Sequence, residues 1–442
     1  MGRGGKISAI CQHDHAKPPG SGRSDWQKYA AVWQDRGGGY SAGFYDHEVT
    51  SHALAESGAA SNPTISAFYF PNYHADPRNE AKYGRGWTEW DLLKGGVPRY
   101  PGHRQPLVPV WGYEDESDPQ VMQRKITAAT SHGIGNFLFD WYHYEDGPFL
   151  SRALDEGFLG APNPEGMTFA LMWANHDWID IFPQKVGRPP DLHYPGKVSA
   201  AAFDRITDLI IERYFSRKNY FRMDGLPFFS IYQLDTLAES FGGERELARA
   251  LEKMRRRVEQ AGLPGVHLNA IGWNHGSLQG ELPRTHPFHH AAELGFDSAT
   301  SYVWVHHVDV QEKGLNHYDV MADLYFSMYE EARDTCPIPV FPNVTVGWDP
   351  SPRTDPGGPW KPAVYPYSQV LEGNTPEAFG RAVRQAIDLV TPLAGETLVT
   401  LNAWNEWTEG SYLEPDTVYG MAYLEALREA VRAGAARAAC AD

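Results

Sequence analysis

The strongest constraint on the fold is a regular alternation of two residue patterns, which begins near residue 64 and continues almost to the end of the chain. Short β-branched or aromatic runs, typical of buried strands, alternate with longer stretches that carry apolar residues at helical spacing. Eight such strand–helix units in succession predict an α/β fold, a (β/α)8 TIM barrel. A Rossmann-type sheet is the alternative, but no Gly-rich dinucleotide turn follows the first or second predicted strand.

The predicted strands and helices divide the chain into a barrel and an N-terminal extension. The predicted strands cover residues 65–69, 136–140, 168–173, 228–232, 267–271, 299–303, 340–344 and 397–401. The predicted helices cover residues 120–131, 148–158, 199–215, 245–260, 288–294, 318–333, 376–390 and 419–431. The loop after the first strand, residues 72–118, is unusually long, and such loops are usually lids or binding loops. Residues 1–60 have weak periodicity and are predicted to be a partly irregular extension, which leaves 61–442 as the barrel.

Bulk composition excludes several classes of function. The chain has 442 residues and a formal net charge of −17, so we expect no binding to nucleic acid or to an anionic membrane. No apolar run reaches the ~18 residues of a spanning helix, and the three cysteines are too far apart to indicate a disulfide framework or a metal site. The N-terminus lacks the apolar core of a signal peptide, which favours a cytoplasmic protein. A processed or misassigned N-terminus would instead allow a secreted or periplasmic one, and the oligomeric state is left open.

Polar and aromatic side chains collect at the C-terminal ends of the predicted strands, whereas the strand bodies are apolar. In a TIM barrel these ends face the active site. Aromatic rings beside amides, acids and imidazoles indicate a pocket that stacks sugar rings and binds their hydroxyls, with core packing or ion pairing as the alternative for each side chain. The predicted substrate-binding residues at the strand ends and in the long loop are Tyr69, Tyr73, His74, Trp87, Glu89, Asp140, Trp141, Tyr142, Asn175, His176, Gln233, Trp273 and Trp304.

The last predicted strand leads into a loop that combines carboxylates with tryptophans. Glu406 and Glu409 are three residues apart, and Asn405 and Trp407 beside them complete the predicted substrate contacts. Cleavage of a glycosidic bond needs one acid to protonate the leaving oxygen and a second carboxylate as base or nucleophile. On a straight strand the two glutamates would point to opposite faces, so they converge only if the chain turns at Trp407-Thr408. The alternative is that one or both cap a helix or pair with an arginine on the rim.

Histidines at the strand ends raise the question of a metal site, because three neutral imidazoles and an acid can bind zinc. The candidates are His176, His275, His306 and His307. The chain has no His-x-His or His-Glu-x-x-His pattern among them. We therefore expect these histidines to hydrogen-bond sugar hydroxyls, and we expect neither a metal nor a cofactor.

The segment Trp404-Asn-Glu-Trp-Thr-Glu-Gly410 resembles the Asn-Glu-Trp-x-Glu-Gly signature of glycoside hydrolase family 99, the endo-α-mannosidases. When it is extended to residue 416, it is similar to the family-99-like WbsX proteins of bacterial polysaccharide loci. Three pieces of the long loop, residues 86–90, 101–106 and 112–119, match the same pattern in order. The resemblance covers nearly the whole barrel, from about residue 67 to the last helix, and implies the same fold.

This resemblance implies a retaining mechanism without a glycosyl-enzyme ester. Glu406 would act as base on the sugar 2-hydroxyl, which attacks the anomeric carbon to give a 1,2-anhydro sugar. Glu409 would protonate the leaving oxygen and then deprotonate the water that opens the anhydro ring. Family 99 uses no metal in catalysis. The chain departs from the family pattern at Thr408, where the family has His, and at Asn72, where it has an aromatic residue, so specificity for mannose does not follow.

The predicted function is that of a retaining glycoside hydrolase, similar to an endo-α-mannosidase, which cleaves an α-linked, mannose-like sugar in an oligosaccharide or polysaccharide. One alternative is a glycosyltransferase or transglycosylase of bacterial polysaccharide biosynthesis. Another is a glycan-binding barrel without catalysis. The absence of an Asp-x-Asp motif beside a Rossmann pattern disfavours a nucleotide-sugar enzyme, and the presence of both Glu406 and Glu409 disfavours a binding module.

Overall fold

The structure is a computed structural model that describes residues 62–162, 166–272, 287–311, 316–393 and 395–441. The predicted N-terminal extension, residues 1–60, lies outside the described residues, and so do Trp273 and His275. The remainder of the predicted site falls within them.

Within the described residues, eight parallel strands form the barrel wall, and each begins within two residues of its predicted position. They are β1 (Thr64–Tyr69), β2 (Asn136–Tyr144), β3 (Thr168–Trp173), β4 (Leu226–Ile231), β5 (His267–Ile271), β6 (Ser298–Thr300), β7 (Val340–Phe341 with Asn343–Thr345) and β8 (Leu398–Asn402). Neighbours in the sheet follow chain order, and β8 pairs with β1.

The barrel closes through β7, which changes its hydrogen-bonding partner at Pro342. Its first segment, Val340–Phe341, pairs with β6, and its second segment, Asn343–Thr345, pairs with β8. Proline has no N–H to donate to a sheet, so the change of partner falls where the ladder is already interrupted. The carbonyl of Pro342 still accepts a hydrogen bond of 3.0 Å from the Thr400 N–H. The closed ring of parallel strands confirms the predicted TIM barrel.

Helices on the outside cover the strands. They are α1 (Pro77–Tyr83), α2 (Trp90–Gly95), α3 (Pro119–Ser131), α4 (Ala200–Ile210), α5 (Leu234–Phe241), α6 (Glu244–Gln260), α7 (Pro287–Glu293), α8 (Tyr318–Thr335), α9 (Pro376–Val390) and α10 (Ala422–Ala441). Local side chains fix several starts: Asp118, Ser199 and Thr375 accept a hydrogen bond from the first turn of α3, α4 and α9. None of the described helices is long and apolar enough to cross a membrane.

The structure differs from the predicted helices at three places. The stretch predicted as helix 148–158 begins with a short strand, Gly147–Phe149, which folds back antiparallel on the end of β2, and only Ala153–Phe158 is helical, as a π-type turn. The last helix begins at Ala422 and not at 419, because Asp416 accepts hydrogen bonds from the next backbone N–H groups and holds a turn there. The long loop after β1 contains α1 and α2, and α5 was not predicted.

The side chains at the two ends of the barrel have different roles, one in stabilising the sheet and the other in forming the loops. Toward the N-terminal end, buried polar side chains on neighbouring strands satisfy one another. Asn136 donates to Ser66 across 2.6 Å, and Asn269 donates to Ser230 across 2.8 Å. Such bonds stabilise the sheet, because a buried polar group without a partner is costly. The C-terminal end carries the loops and is the place to look for chemistry.

Candidate active site

A cavity of about 540 Å³ lies at the C-terminal end of the barrel. Its walls come from the ends of β2, β3 and β4 and from the loops after β6, β7 and β8. The volume falls in the range of about 300–1,000 Å³ that is usual for ligand pockets. Among its polar and aromatic lining residues are Phe70, Asp140, Tyr142, His176, Trp178, Phe182, Tyr232, Tyr302, Trp348, Arg353, Tyr365, Glu406 and Glu409.

The turn after β8 brings both glutamates to this cavity. The two-residue strand Asn405–Glu406 pairs antiparallel with Ser411–Tyr412, and the 3-10 turn Trp407–Glu409 joins them. Gly410 ends the turn in the left-handed conformation, with φ of 64°. The chain therefore bends where the spacing of the two acids requires it. Glu406 and Glu409 are 3% and 7% exposed, and both line the cavity.

Arg353, which lies in the 3-10 turn Ser351–Arg353 after β7, bridges the two glutamates. Its Nη1 donates to Oε1 of Glu409, and its Nη2 donates to Oε2 of Glu406 across 3.3 Å. Its Nε donates to Oε1 of Glu89 across 2.8 Å. The alternative prediction, that the glutamates pair with an arginine, is therefore correct in part, because Arg353 does pair with both acids. Arg353, Glu406 and Glu409 nevertheless all line the cavity, so the ion pairs do not close the two acids off from a ligand.

Tyr302, at the end of the sixth strand unit, links a third acid to the pair. Its hydroxyl lies 2.8 Å from Oδ2 of Asp140 and 3.0 Å from Oε1 of Glu406. A tyrosine hydroxyl carries one proton, so it can donate to only one of these oxygens. Both contacts are hydrogen bonds only if one of the two carboxyl groups is itself protonated. The geometry therefore indicates a proton held between Asp140 and Glu406.

Burial and charge raise the pKa of the acids that face the cavity. Burial, the negative charge of Glu409 and other nearby carboxylates raise the pKa of Glu406 well above its ordinary value. Burial also raises the pKa of Glu409, but Arg353 and a hydrogen bond of 2.7 Å from the Tyr365 hydroxyl oppose that rise. Burial raises the pKa of Asp140 as well. The donors around Glu409 favour its ionised form more than those around Glu406 do.

Glu89, from the long loop, holds the other side of Arg353. Its Oε2 accepts from the Asn72 side chain across 2.6 Å, and its Oε1 accepts from the Thr408 hydroxyl as well as from Arg353. Asn72 and Thr408 are the two positions at which the chain departs from the family pattern. Both therefore act on Glu89 and do not line the cavity.

A second piece of the long loop, residues 101–106, anchors to the chain beside Glu409. The Nε2 of His103 lies 2.8 Å from Oδ2 of Asp349, and the Gln105 amide donates to the same oxygen across 2.6 Å. The backbone N–H of Asp349 in turn donates to the carbonyl of Glu409 across 2.5 Å. The loop after β1 therefore supports the turn that carries Glu406 and Glu409, through Asp349.

A buried ion cluster lies behind the same turn. Lys125 of α3 pairs with Glu116 and, across 2.6 Å, with Glu414, and the three side chains are at most 3% exposed. Glu116 accepts from the Asn405 amide across 2.8 Å, and Glu414 accepts from the Trp407 indole across 2.8 Å. The residues on both sides of Glu406 are thus fixed to one cluster, which limits the movement of that acid.

Of the predicted substrate-binding residues that the structure describes, Asp140, Tyr142 and His176 line the cavity. Glu89 is next to it and contacts Arg353. Asn175 and Gln233 bond to each other, because the Asn175 side chain exchanges two hydrogen bonds of 2.8 Å with the Gln233 backbone. These two residues shape the ends of β3 and β4 and do not reach the cavity.

The remaining predicted residues do not line the cavity. Most of them are buried among other side chains, and Trp87 is half-buried against Tyr83, with ring centroids 4.4 Å apart. Trp304 is 0% exposed and packs on Tyr325, and Trp407 is 0% exposed and stacks on Tyr412 at 3.8 Å between ring centroids. The other residues that do not line the cavity are Tyr69, Tyr73, His74, Trp87, Trp141 and Asn405.

Sequence reasoning missed the residues that organise the acids. Arg353 stands in the loop after the seventh strand, and Tyr302 is the penultimate residue of the predicted sixth strand. Tyr365 lies farther along the loop after β7. A search for arginines near the strand ends would have found Arg353, because a site with two buried carboxylates needs a cation.

The sequence matches the model of a protein family described as "Glycosyltransferase WbsX" over residues 65–427. Two curated relatives, both called "Uncharacterized protein WxcX", come from strains B100 and ATCC 33913 of Xanthomonas campestris pv. campestris. Each is 28% identical over 378 residues, which is 83% of this chain and 49% of the relative. The chain therefore spans about half the length of the curated relatives it matches.

Solved structures with the same architecture include glycoside hydrolases. The GH99 endo-alpha-mannosidase from Bacteroides thetaiotaomicron matches with a TM-score of 0.52 and 15% identity, over 85% of this chain and 98% of that chain. A structure described as a glycoside hydrolase-like protein matches with a TM-score of 0.55 and 15% identity, over 86% and 97% of the two chains. At this identity the likeness shows the barrel fold.

Proposed function

The chain belongs to the WbsX family, and on that basis we propose that it is a glycan-active enzyme that breaks an α-linked, mannose-like glycosidic bond with Glu406 and Glu409. One observation carries the proposal: two buried acids line one cavity, share one guanidinium and have unequal hydrogen-bond donors. Acid–base catalysis at a glycosidic bond needs one protonated and one ionised carboxyl group, and unequal surroundings provide that difference.

The proposed reaction proceeds with participation of the substrate's 2-hydroxyl. One glutamate removes the proton from this hydroxyl, whose oxygen attacks the anomeric carbon and closes a 1,2-anhydro ring. The other glutamate protonates the departing oxygen, so the C–O bond breaks without a charged leaving group. Water then attacks the anomeric carbon and gives one proton to the second glutamate, which is now ionised. The first glutamate returns its proton to O2 as the bond between C1 and O2 breaks, and the sugar leaves with its anomeric configuration retained.

The family resemblance assigns the base to Glu406 and the acid to Glu409. The donors from Arg353 and Tyr365 favour an ionised Glu409, and the contacts of the Tyr302 hydroxyl favour a proton near Glu406 and Asp140. Substrate arrival must therefore transfer a proton to Glu409, or the two glutamates exchange roles. A sugar 2-hydroxyl beside Glu406 would compete with the hydrogen bond of Tyr302 and so alter this balance.

A second candidate is transfer of the sugar to another glycan. The observation in its favour is the family itself, which is described as a glycosyltransferase family. The same pair of glutamates would serve, because an acceptor hydroxyl can take the place of water at the anhydro ring. A chain that performs transfer would enlarge an acceptor glycan and release few reducing ends.

The experiment is a screen of α-mannans and bacterial polysaccharides with and without acceptor oligosaccharides. New reducing ends support hydrolysis, and growth of the acceptor supports transfer. Glu406→Gln and Glu409→Gln should each lower either rate by about 10²–10⁴-fold, the usual effect of losing an acid–base group. Glu331→Gln, on the exposed face of α8, is the matched control and should have no effect. Glycan binding without turnover in the wild-type chain would contradict the proposal.

A further inference from the structure

Six aliphatic side chains line the cavity in addition to its acids and aromatic rings, and three separate loops supply them. The lining residues concerned are Ile179 and Ile181 after β3, Val305 and Val310 after β6, and Ala363 and Val364 after β7. We call these six side chains the aliphatic wall. Because three loops supply it independently, the wall is a property of the cavity and not of one local packing contact.

A sugar binds aromatic and polar side chains in a different way from aliphatic side chains. A ring face packs on an aromatic face, and each hydroxyl needs a hydrogen-bond partner. A hydroxyl buried against aliphatic carbon without a hydrogen-bond partner is destabilising. A methyl group in the same place is stabilising, because its carbon is removed from water. An aliphatic wall therefore selects for a ligand that presents methyl groups to it.

The wall lies close to the two acids. The Phe182 ring, which follows Ile181, has its centroid 5.8 Å from Cζ of Arg353, and Arg353 contacts Glu406 and Glu409. Phe182 also stacks on Trp178 at 5.4 Å between centroids, which continues the apolar surface to Ile179. Val364 lines the cavity at an exposed position, with 77% of the residue accessible. The apolar side chains after β3 therefore lie near the two acids.

We propose that the aliphatic wall receives an apolar substituent of the glycan, so that the substrate unit is a 6-deoxyhexose or an acylated sugar. The C6 methyl of a deoxy sugar and the methyl of an acyl group present the same surface to the wall. This inference rests on the proposed function, because it requires a sugar beside Glu406 and Glu409. It adds the feature that distinguishes the substrate from unmodified mannose.

The test compares three glycosides that differ at one position. Methyl α-D-mannoside, its 6-deoxy analogue and its 6-O-acetyl ester share ring configuration and linkage. Their dissociation constants for the full chain are measured by calorimetry or by NMR titration. We expect at least one modified glycoside to bind about 10-fold or more tightly than the parent, since one methyl-sized group in an apolar pocket is worth ~10–200-fold. The modified glycoside that binds more tightly than the parent identifies which substituent the wall accepts.

Variants show whether the wall causes the preference. Val364→Thr replaces a methyl by a hydroxyl of nearly equal size at an exposed position, so folding is preserved. This variant and Val305→Thr should lower the ratio of modified to parent affinity about 3-fold or more, with little change for the parent glycoside. The matched control is Val418→Thr, because Val418 is 59% exposed and does not line the cavity, and it should leave the ratio unchanged.

Equal affinities for the three glycosides, or no binding of either modified one, would overturn the inference. A gain seen only with octyl α-D-mannoside would also overturn it and assign the wall to a lipid chain. Binding is measured without turnover, so the two proposals fail separately. If a modified glycoside binds more tightly but the chain cleaves and transfers no glycan, only the proposed function is contradicted. If the chain cleaves unmodified α-mannan and binds the three glycosides with equal affinity, only the inference about the wall is contradicted.

Discussion

At the scale of single residues, Arg353 determines the charge state of the cavity. It contacts Glu89, Glu406 and Glu409, so three carboxyl groups share one guanidinium in this network of described residues. The Tyr302 hydroxyl joins a fourth carboxyl group, that of Asp140, to Glu406. Ionising all of them would leave an excess of buried negative charge, which is costly. Burial and this excess of negative charge raise the pKa of Glu406 and that of Asp140. The cavity can therefore hold a proton, as the proposed acid catalysis requires.

Glu406→Gln should stabilise the fold at neutral pH while it removes activity. The pKa of Glu406 in the folded chain is above its ordinary value of 4.5, so the folded state keeps a proton that the unfolded chain releases as the pH rises past 4.5. That difference lowers the stability of the wild type as the pH increases. The neutral variant lacks the penalty, and its free energy of unfolding at pH 7 should exceed that of the wild type by about 1 kcal/mol or more.

Melting temperatures between pH 4 and pH 8 measure this effect. The advantage of Glu406→Gln should shrink toward zero as the pH falls to the ordinary range of a glutamate, and Glu331→Gln should behave like the wild type throughout. A variant that is less stable than the wild type at every pH would show that Glu406 is ionised and well paired in the folded chain.

The roles of the two glutamates can be separated with leaving groups of different acidity. Nitrophenolate departs without a proton, whereas a sugar hydroxyl does not. Loss of the acid should therefore leave the cleavage rate of a 4-nitrophenyl glycoside nearly unchanged and strongly lower that of an oligosaccharide. Loss of the base should lower both rates equally. On the assignment from the resemblance, Glu409→Gln gives the first pattern and Glu406→Gln the second. The reverse pattern would mean that Glu409 is the base and Glu406 the acid, as the hydrogen bonds around the two glutamates favour.

At the scale of structural elements, the turn after β8 is held from two sides. The chain after β7 approaches it so closely that a Cβ on Gly410 would lie 2.7 Å from Cβ of Asp349. On the other side, the cluster of Lys125, Glu116 and Glu414 fixes Asn405 and Trp407. A two-residue strand has little stability of its own. The surroundings therefore determine where Glu406 and Glu409 point.

Gly410→Ala should lower both stability and catalytic rate. The residue has a φ of 64°, and the added methyl would clash with Asp349. Gly420→Ala is the matched control, because Gly420 has a φ of 55° but nothing within 4 Å of the added Cβ. Gly420→Ala should cost only the backbone strain, about 1 kcal/mol, and keep the rate. Similar losses of rate in the two variants would show that the close approach to Asp349 is not what positions Glu409.

Lys125→Met should destabilise the fold by about 3–5 kcal/mol, because it leaves two buried carboxylates without their cation. Urea unfolding measures the loss. The control Lys94→Met removes an exposed pair with Asp91, whose charged atoms are 3.9 Å apart, and should cost at most about 1 kcal/mol. Adding Glu116→Gln and Glu414→Gln to Lys125→Met should recover much of the stability. No recovery would mean that Lys125 acts through packing and not through charge.

At the scale of the whole molecule, periodicity predicted the barrel well but not the directions of side chains beyond the strands. The eight strands were predictable because a buried parallel strand needs a mostly apolar run, as in Thr168–Trp173. Trp304 and Trp407 were predicted to stack sugars, yet they pack in the interior, because a residue past a strand end follows the local turn and not the strand's alternation. Arg353 was missed for the same reason, since its loop, between β7 and α9, has no periodicity to read.

The central claim is that Glu406 and Glu409 work together on one anomeric carbon, and the anomeric configuration of the first product tests it most directly. Time-resolved proton NMR of an α-linked mannose-containing glycan with the wild-type chain should show the α-anomer first, before mutarotation. Neither glutamine variant should produce it at a comparable rate. Release of the β-anomer first, or the same product from both variants, would contradict the account.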